Sequence, residues 1–301
     1  MRTTLILRMT GAVLALALAS SACASDASDG SSFTVVVTTS ILGDIVTNAT
    51  ELGANVEVIM PVGADPHEFE PSARQVASIR SADLVIANGL GLEEGLEDVL
   101  ASAAEDGGLV LEVGPAINPL TLGSSGDLDP HVWLDPTRMA AAVDVVVGAL
   151  RGLDPSVDWA QIAAPYRQEL LDLDVWIDAR LAAIPQEDRV LVTGHQAFGY
   201  FADRYDFEII ATILPGATTM VEPSAAGFAD IVTILEASDT PAVFTDLGEN
   251  QALADQLSVQ VDRPVLVVPL YTGALGEQGS GAGTYLEMMR WDVEAIARAF
   301  E

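Results

Sequence analysis

The sequence predicts an α/β protein in which two halves, each a parallel sheet flanked by helices, are separated by one long helix. Three observations carry this. Short apolar, β-branched runs alternate with helix-patterned segments along most of the chain. The alternation stops between about Asp158 and Ile184, where no glycine occurs and apolar residues recur at steps of three and four. Half of the 301 residues are hydrophobic, enough for one large or two medium cores.

The elements follow in order. FTVVVTTS, from Phe33, is a buried strand ending in small polar residues, and ILGDIVTNATEL continues with helical spacing. NVEVIMPVG is a second strand. SARQVASIRSA is a helix that Ser72 is placed to cap. DLVIANG, LEEGLEDVLASAAE and GLVLEVG read as strand, helix and strand. In the long helical stretch Leu170, Leu173, Trp176, Ile177 and Leu181 form one apolar stripe. Alternation then resumes. RVLVTG, FEIIATIL, AVFTD and PVLVVPL are strands. FGYFADRY, SAAGFADIVTILEAS, NQALADQLSVQ and GTYLEMMRWDVEAIARAF are helices. The expected organisation is an N-terminal lobe over 33–157, a linker helix over 158–184 and a C-terminal lobe over 185–301.

Residues 1–22 read as a signal peptide. Arg2 and Arg8 precede the apolar run GAVLALALA, which is too short to span a membrane. The one cysteine, Cys23, lies where cleavage would fall, and ASSAC resembles a bacterial lipobox in which that cysteine is lipidated. The small polar segment after it makes 23–32 a flexible tether. The expected location is therefore extracytoplasmic, with the body lipid-anchored to the cell membrane, in the periplasm or at the cell surface.

The formal net charge is -31, and every one of the 13 basic residues is arginine. Such a chain excludes nucleic acid as a partner, because phosphates need cationic contacts. An acidic surface attracts cations, although overall charge alone does not identify a ligand.

The chain holds three histidines, and two share one pattern: DPHEFEP around His67 and DPHVWLDP around His131. Pro66 and Pro130 fix their own φ and force the preceding aspartates into extended backbone, so both imidazoles sit on stiff chain. His195 ends the strand RVLVTG, and all three histidines are expected at strand ends, where open α/β sheets bind ligands. Neutral imidazole is the commonest metal ligand, and a stiff loop lowers the ordering cost of binding. Asp65, Glu70, Asp129 and Asp135 are candidates to accept the second ring N–H, or equally to serve turns and caps.

These residues, with GHQAFGYFADRY, VEPSAAGFADIV and LYTGALGEQGSGAGTYLEMMRWDV, resemble the metal-binding (cluster A-I) solute-binding proteins of ABC importers for zinc and manganese. The resemblance runs from about residue 33 to the C-terminus. It implies two Rossmann-like lobes joined by a long rigid linker helix, with metal held in the cleft by His67 and His131 from one lobe and His195 from the other. It also implies an ABC permease as partner and a monomeric, non-enzymatic protein. One position departs from the pattern: the family usually has LYTD, whose aspartate is the fourth ligand, and here Gly273 stands in its place. Three readings stay open: Glu277, four residues on, completes the shell; water completes it; or the protein binds metal weakly and serves another purpose. A set rich in nitrogen favours Zn2+ as the carried ion over Mn2+, which prefers more carboxylate oxygen. Two rival readings are a zinc-dependent hydrolase using Glu222 or Glu277 as general base, and a metal-stabilised adhesion or binding module.

Overall fold

The computed structural model describes residues 33–51, 53–122, 126–221, 224–247 and 251–301. The expected signal peptide, the expected tether with Cys23, and Glu222 lie outside the described residues.

Two four-stranded sheets, parallel throughout, organise the chain. The first contains β1 (Thr34–Val37), β2 (Asn55–Val58), β3 (Leu84–Ala87) and β4 (Val110–Glu112) in the order β2-β1-β3-β4. The second contains β5 (Val190–Thr193), β6 (Glu208–Thr212), β7 (Ala242–Asp246) and β8 (Leu266–Leu270) in the order β6-β5-β7-β8. In both, the chain winds outward one way after its first strand and the other way after its second. Each sheet therefore has a topological switch point between its two central strands, and a crevice at their carboxyl ends. The central strand β3 is buried along its whole length, whereas the edge strand β2 is largely exposed.

The crossover helices and the C-terminal helix form where the sequence placed them. They are α1 (Ser40–Thr50), α2 (Ala73–Ser81), α3 (Glu97–Glu105), α6 (Gly199–Tyr205), α7 (Ala225–Ala237), α8 (Gln251–Gln260) and α9 (Tyr285–Ala299). Ser72 caps α2 in a capping box, its hydroxyl accepting from the Gln75 amide while the Gln75 side chain reaches back. The predicted helix starting at Leu92 is divided: a 3-10 turn covers Glu94–Leu96 and only then does α3 begin.

α4 (Pro136–Leu153) is an 18-residue helix not anticipated above. Its start is nevertheless written in the sequence, since Asp135 accepts from the Thr137 amide and Pro136 occupies the first turn. Its run VDVVVGAL is rich in β-branched residues, which obscures a helical period.

The long helix α5 spans Trp159–Leu181 and carries Pro165 in its early turns. Leu170, Leu173, Ile177 and Leu181 are buried, each stabilising the fold by roughly 1.5–3 kcal/mol. They belong to one apolar cluster that includes Val35 of the first sheet and Leu191 of the second, and α5 packs on α1, α4 and α9. The linker is rigid for this reason: swinging it would expose a core common to both lobes. No helix among the described residues is long and apolar enough to cross a membrane.

Candidate metal centre

Each histidine is delivered by local geometry. In the turn after β2, the Asp65 carboxylate accepts from the His67 amide at 2.9 Å. Asp129 does the same for the His131 amide at 3.0 Å, so the shared Asp-Pro-His sequence makes the same turn twice. The Asn88 amide donates to the Pro130 carbonyl at 2.9 Å and ties the second turn to the end of β3. His195 follows β5 at the switch point of the second sheet. His131 departs from the strand-end expectation: it precedes a 3-10 turn, Val132–Leu134, that leads into α4.

The three rings converge. All are buried, at 4%, 1% and 4% exposure for His67, His131 and His195. His131 Nε2 lies 3.4 Å from His67 Nε2 and 3.1 Å from His195 Nε2. One potential ligand atom from each falls within 4.8 Å of the others, which makes them a group able to hold a metal ion. Two nitrogens at ~2.05 Å from one tetrahedral ion lie roughly 3.3–3.4 Å apart, so these spacings are close to what zinc requires.

The tautomers are set from behind. His131 Nδ1 lies 2.8 Å from Asp129 Oδ1, and His195 Nδ1 lies 2.9 Å from Asp246 Oδ2. Each carboxylate accepts a hydrogen bond from Nδ1–H and leaves Nε2 as a bare lone pair. Two such lone pairs facing each other at 3.1 Å repel unless a cation lies between them. His67 Nδ1 has only Glu94 Oε1 nearby, at 3.7 Å, and no hydrogen-bond partner among the described residues.

Burial also discourages protonation. Desolvation, aided by the His131 and His195 rings and opposed by Asp65, pushes the His67 pKa down to about 3. His131 is lowered too, by desolvation against the pull of Asp129. Loss of binding below about pH 6, the expectation for free imidazole, is therefore displaced to lower pH for these two rings.

Of the four flanking acids, Asp129 accepts a ring N–H, that of His131. Asp65 serves the turn, and Asp135 caps α4 and pairs with Arg138 at 3.2 Å. Asp246, which holds His195, was missed in the sequence. The available signal was an acid closing the strand AVFTD, at the carboxyl end of a central strand. Gly199 also matters, because a Cβ there would stand 2.5 Å from Asp129 Oδ2 and displace the carboxylate that orients His131.

Two hydrogen bonds cross between the lobes beside His67. Thr218, in the segment after β6, donates to Glu94 at 2.7 Å, and Thr219 donates to Asp65 Oδ2 at 2.5 Å. Deeper in, the Trp133 indole donates to the Thr272 carbonyl at 2.8 Å. Gly273 and His195 line a common cavity, and Glu277 lies exposed on its wall, outside the three-histidine group.

Comparison with known proteins gives the family. The family model for ZnuA, the zinc-uptake complex component A, periplasmic, matches residues 35–299. The chain belongs to the ZnuA family. It is 33% identical to the manganese-binding lipoprotein MntA of Halalkalibacterium halodurans, over 94% of this chain and 95% of that one. It is 31% identical to the zinc-binding protein TroA of Treponema pallidum, covering 88% of each. The solved structure of periplasmic TroA from that organism superposes with a TM-score of 0.82 at 30% identity, covering 89% of this chain and 99% of TroA.

Proposed function

We propose that this ZnuA-family chain captures a divalent transition metal outside the cytoplasmic membrane with His67, His131 and His195. As a member of that family it is a solute-binding protein and not an enzyme, and its partner is an ABC permease to which it delivers the ion. The observation that carries the reading is the pair of carboxylate-locked imidazoles whose lone pairs face each other at 3.1 Å, with a third ring beside them.

Zinc is favoured over manganese. The two relatives compared above carry one metal each in their names, so the preference rests on chemistry: three imidazoles and no carboxylate in the group suit zinc better than the harder manganese. Competition titration of metal-free protein with both ions tests this. Zinc should bind more tightly by at least an order of magnitude, and tighter manganese binding would reverse the assignment. Metal analysis of protein purified without chelator gives an independent check.

The remaining parts of the proposal concern how the receptor is deployed. Residues 1–22 are removed, Cys23 is lipidated, and 23–32 tethers a monomeric body to the membrane. That body comprises the lobes 33–157 and 185–301 with the linker 158–184. Mass spectrometry of the mature N-terminus should find an acylated Cys23, and Cys23→Ala should move the protein to the soluble fraction.

A further inference from the structure

Two of the three imidazoles have a carboxylate behind them, Asp129 at His131 and Asp246 at His195. His67 does not. It turns Nε2 toward His131 at 3.4 Å, so as a ligand it must carry its proton on Nδ1. That Nδ1 is buried without a hydrogen-bond partner among the described residues. A buried donor left without an acceptor is costly, and ligating histidines almost always have one. The neighbouring acids are engaged elsewhere, with one exception. Asp65 accepts from the His67 amide through Oδ1 and from Thr219 through Oδ2. Glu93 is buried and accepts from Thr38, Asn88 and Gly89. Glu94 remains. Its Oε1 stands 3.7 Å from His67 Nδ1, and its side chain is 42% exposed, which leaves it free to move. A shift of about 1 Å brings that oxygen into hydrogen-bond range of the ring. The same Oε1 accepts from Thr218 of the opposite lobe at 2.7 Å. A carboxylate oxygen has two lone pairs and can serve both donors.

We infer that Glu94 is the outer partner of His67 in the metal-loaded protein, and that Thr218 holds it in place from the other lobe. Released from Thr218, the exposed Glu94 side chain turns into water and His67 loses its acceptor. Contact between the lobes thus supports the ligating tautomer of a histidine that belongs to the first lobe. By linkage, the factor that this contact adds to metal affinity is the factor by which bound metal strengthens the contact. Glu94 is a positioning residue, which acts through the ring and does not touch the ion. This rests on the metal-binding reading above.

Zinc affinity is measured by competition titration for wild type, Glu94→Ala, Glu94→Gln, Thr218→Ala and the Glu94→Ala, Thr218→Ala double variant, with circular dichroism to confirm folding. Glu94→Ala should weaken zinc binding about 10-fold, the low end for an outer partner because the residue is partly exposed. Glu94→Gln keeps an acceptor and should recover part of that loss. Thr218→Ala should weaken binding by itself and add nothing once Glu94 is alanine. The chain has only three histidines, so the ring N–H protons of zinc-loaded, 15N-histidine-labelled protein can be followed singly by NMR. Glu94→Ala should move the Nδ1–H resonance of His67 and leave those of His131 and His195 in place. A folded Glu94→Ala protein with Kd within about two-fold of wild type, a Thr218→Ala loss that is undiminished in the alanine background, or an unmoved His67 resonance would each overturn the inference while leaving the metal site standing. Failure of the wild-type protein to bind zinc at all would instead remove the underlying reading, and this inference with it.

Discussion

Replacing Asp246 by alanine removes a carboxylate that never touches the ion, yet it should weaken zinc binding severely. Asp246 Oδ2 lies 2.9 Å from His195 Nδ1, and the two residues are 6% and 4% exposed, so bulk water cannot readily take over the bond. Without it the imidazole is free to carry its proton on Nε2, the tautomer that cannot ligate, and the ring loses its fixed orientation. Outer partners of ligating histidines are worth about 10- to 100-fold in affinity, or ~1.4–2.7 kcal/mol. Asp246→Asn keeps an acceptor of the same shape without the charge and should fall between alanine and wild type. The assay is competition titration with zinc against a chromophoric chelator, with circular dichroism and thermal melting to confirm folding. A folded Asp246→Ala protein whose Kd stays within about two-fold of wild type would show that the carboxylate does not set the tautomer, and the account of the site would fail.

Three further outcomes follow from the same geometry. His131→Ala removes the ring whose Nε2 neighbours both others, and zinc affinity should drop more than about 100-fold, beyond the effect of any outer partner; wild-type titration curves would exclude it from the site. The metal-free protein should lose stability as pH falls from about 6.5 toward 3. In that window the unfolded chain, with ordinary histidines, binds more protons than the folded one, whose His67 titrates only at about 3 and whose His131 is lowered. The melting-temperature difference between wild type and His67→Gln should therefore be level above about 6.5 and change below it. A Thr218→Ala, Thr219→Ala double variant removes both lobe-crossing bonds to Glu94 and Asp65. Stopped-flow chelation should then show metal release accelerated about 5- to 10-fold, the equivalent of ~1–1.4 kcal/mol; an unchanged rate would mean that these bonds do not gate the site.

The sequence by itself determined the alternation of strands and helices, the long linker helix and the three histidines. These are local signals: strand period, a helical stripe such as Leu170–Leu173–Ile177, and an Asp-Pro-His turn whose hydrogen bonds close within two residues. Where a local signal was blurred, the reading failed, as in α4, whose β-branched run hides its period behind a legible Asp-Pro start. The tertiary structure alone decided which groups meet. Asp246 reaches His195 from 51 positions away, and His131 meets both other rings from 64 positions away on either side. Residues that distant are brought together by sheet order and by the core on which α5 packs, and neither is encoded in the spacing of any single segment. The same holds for the space at Gly273. The missing side chain is visible in the sequence, but the acidic cavity beside it exists only because strand ends and loops of both lobes close around it.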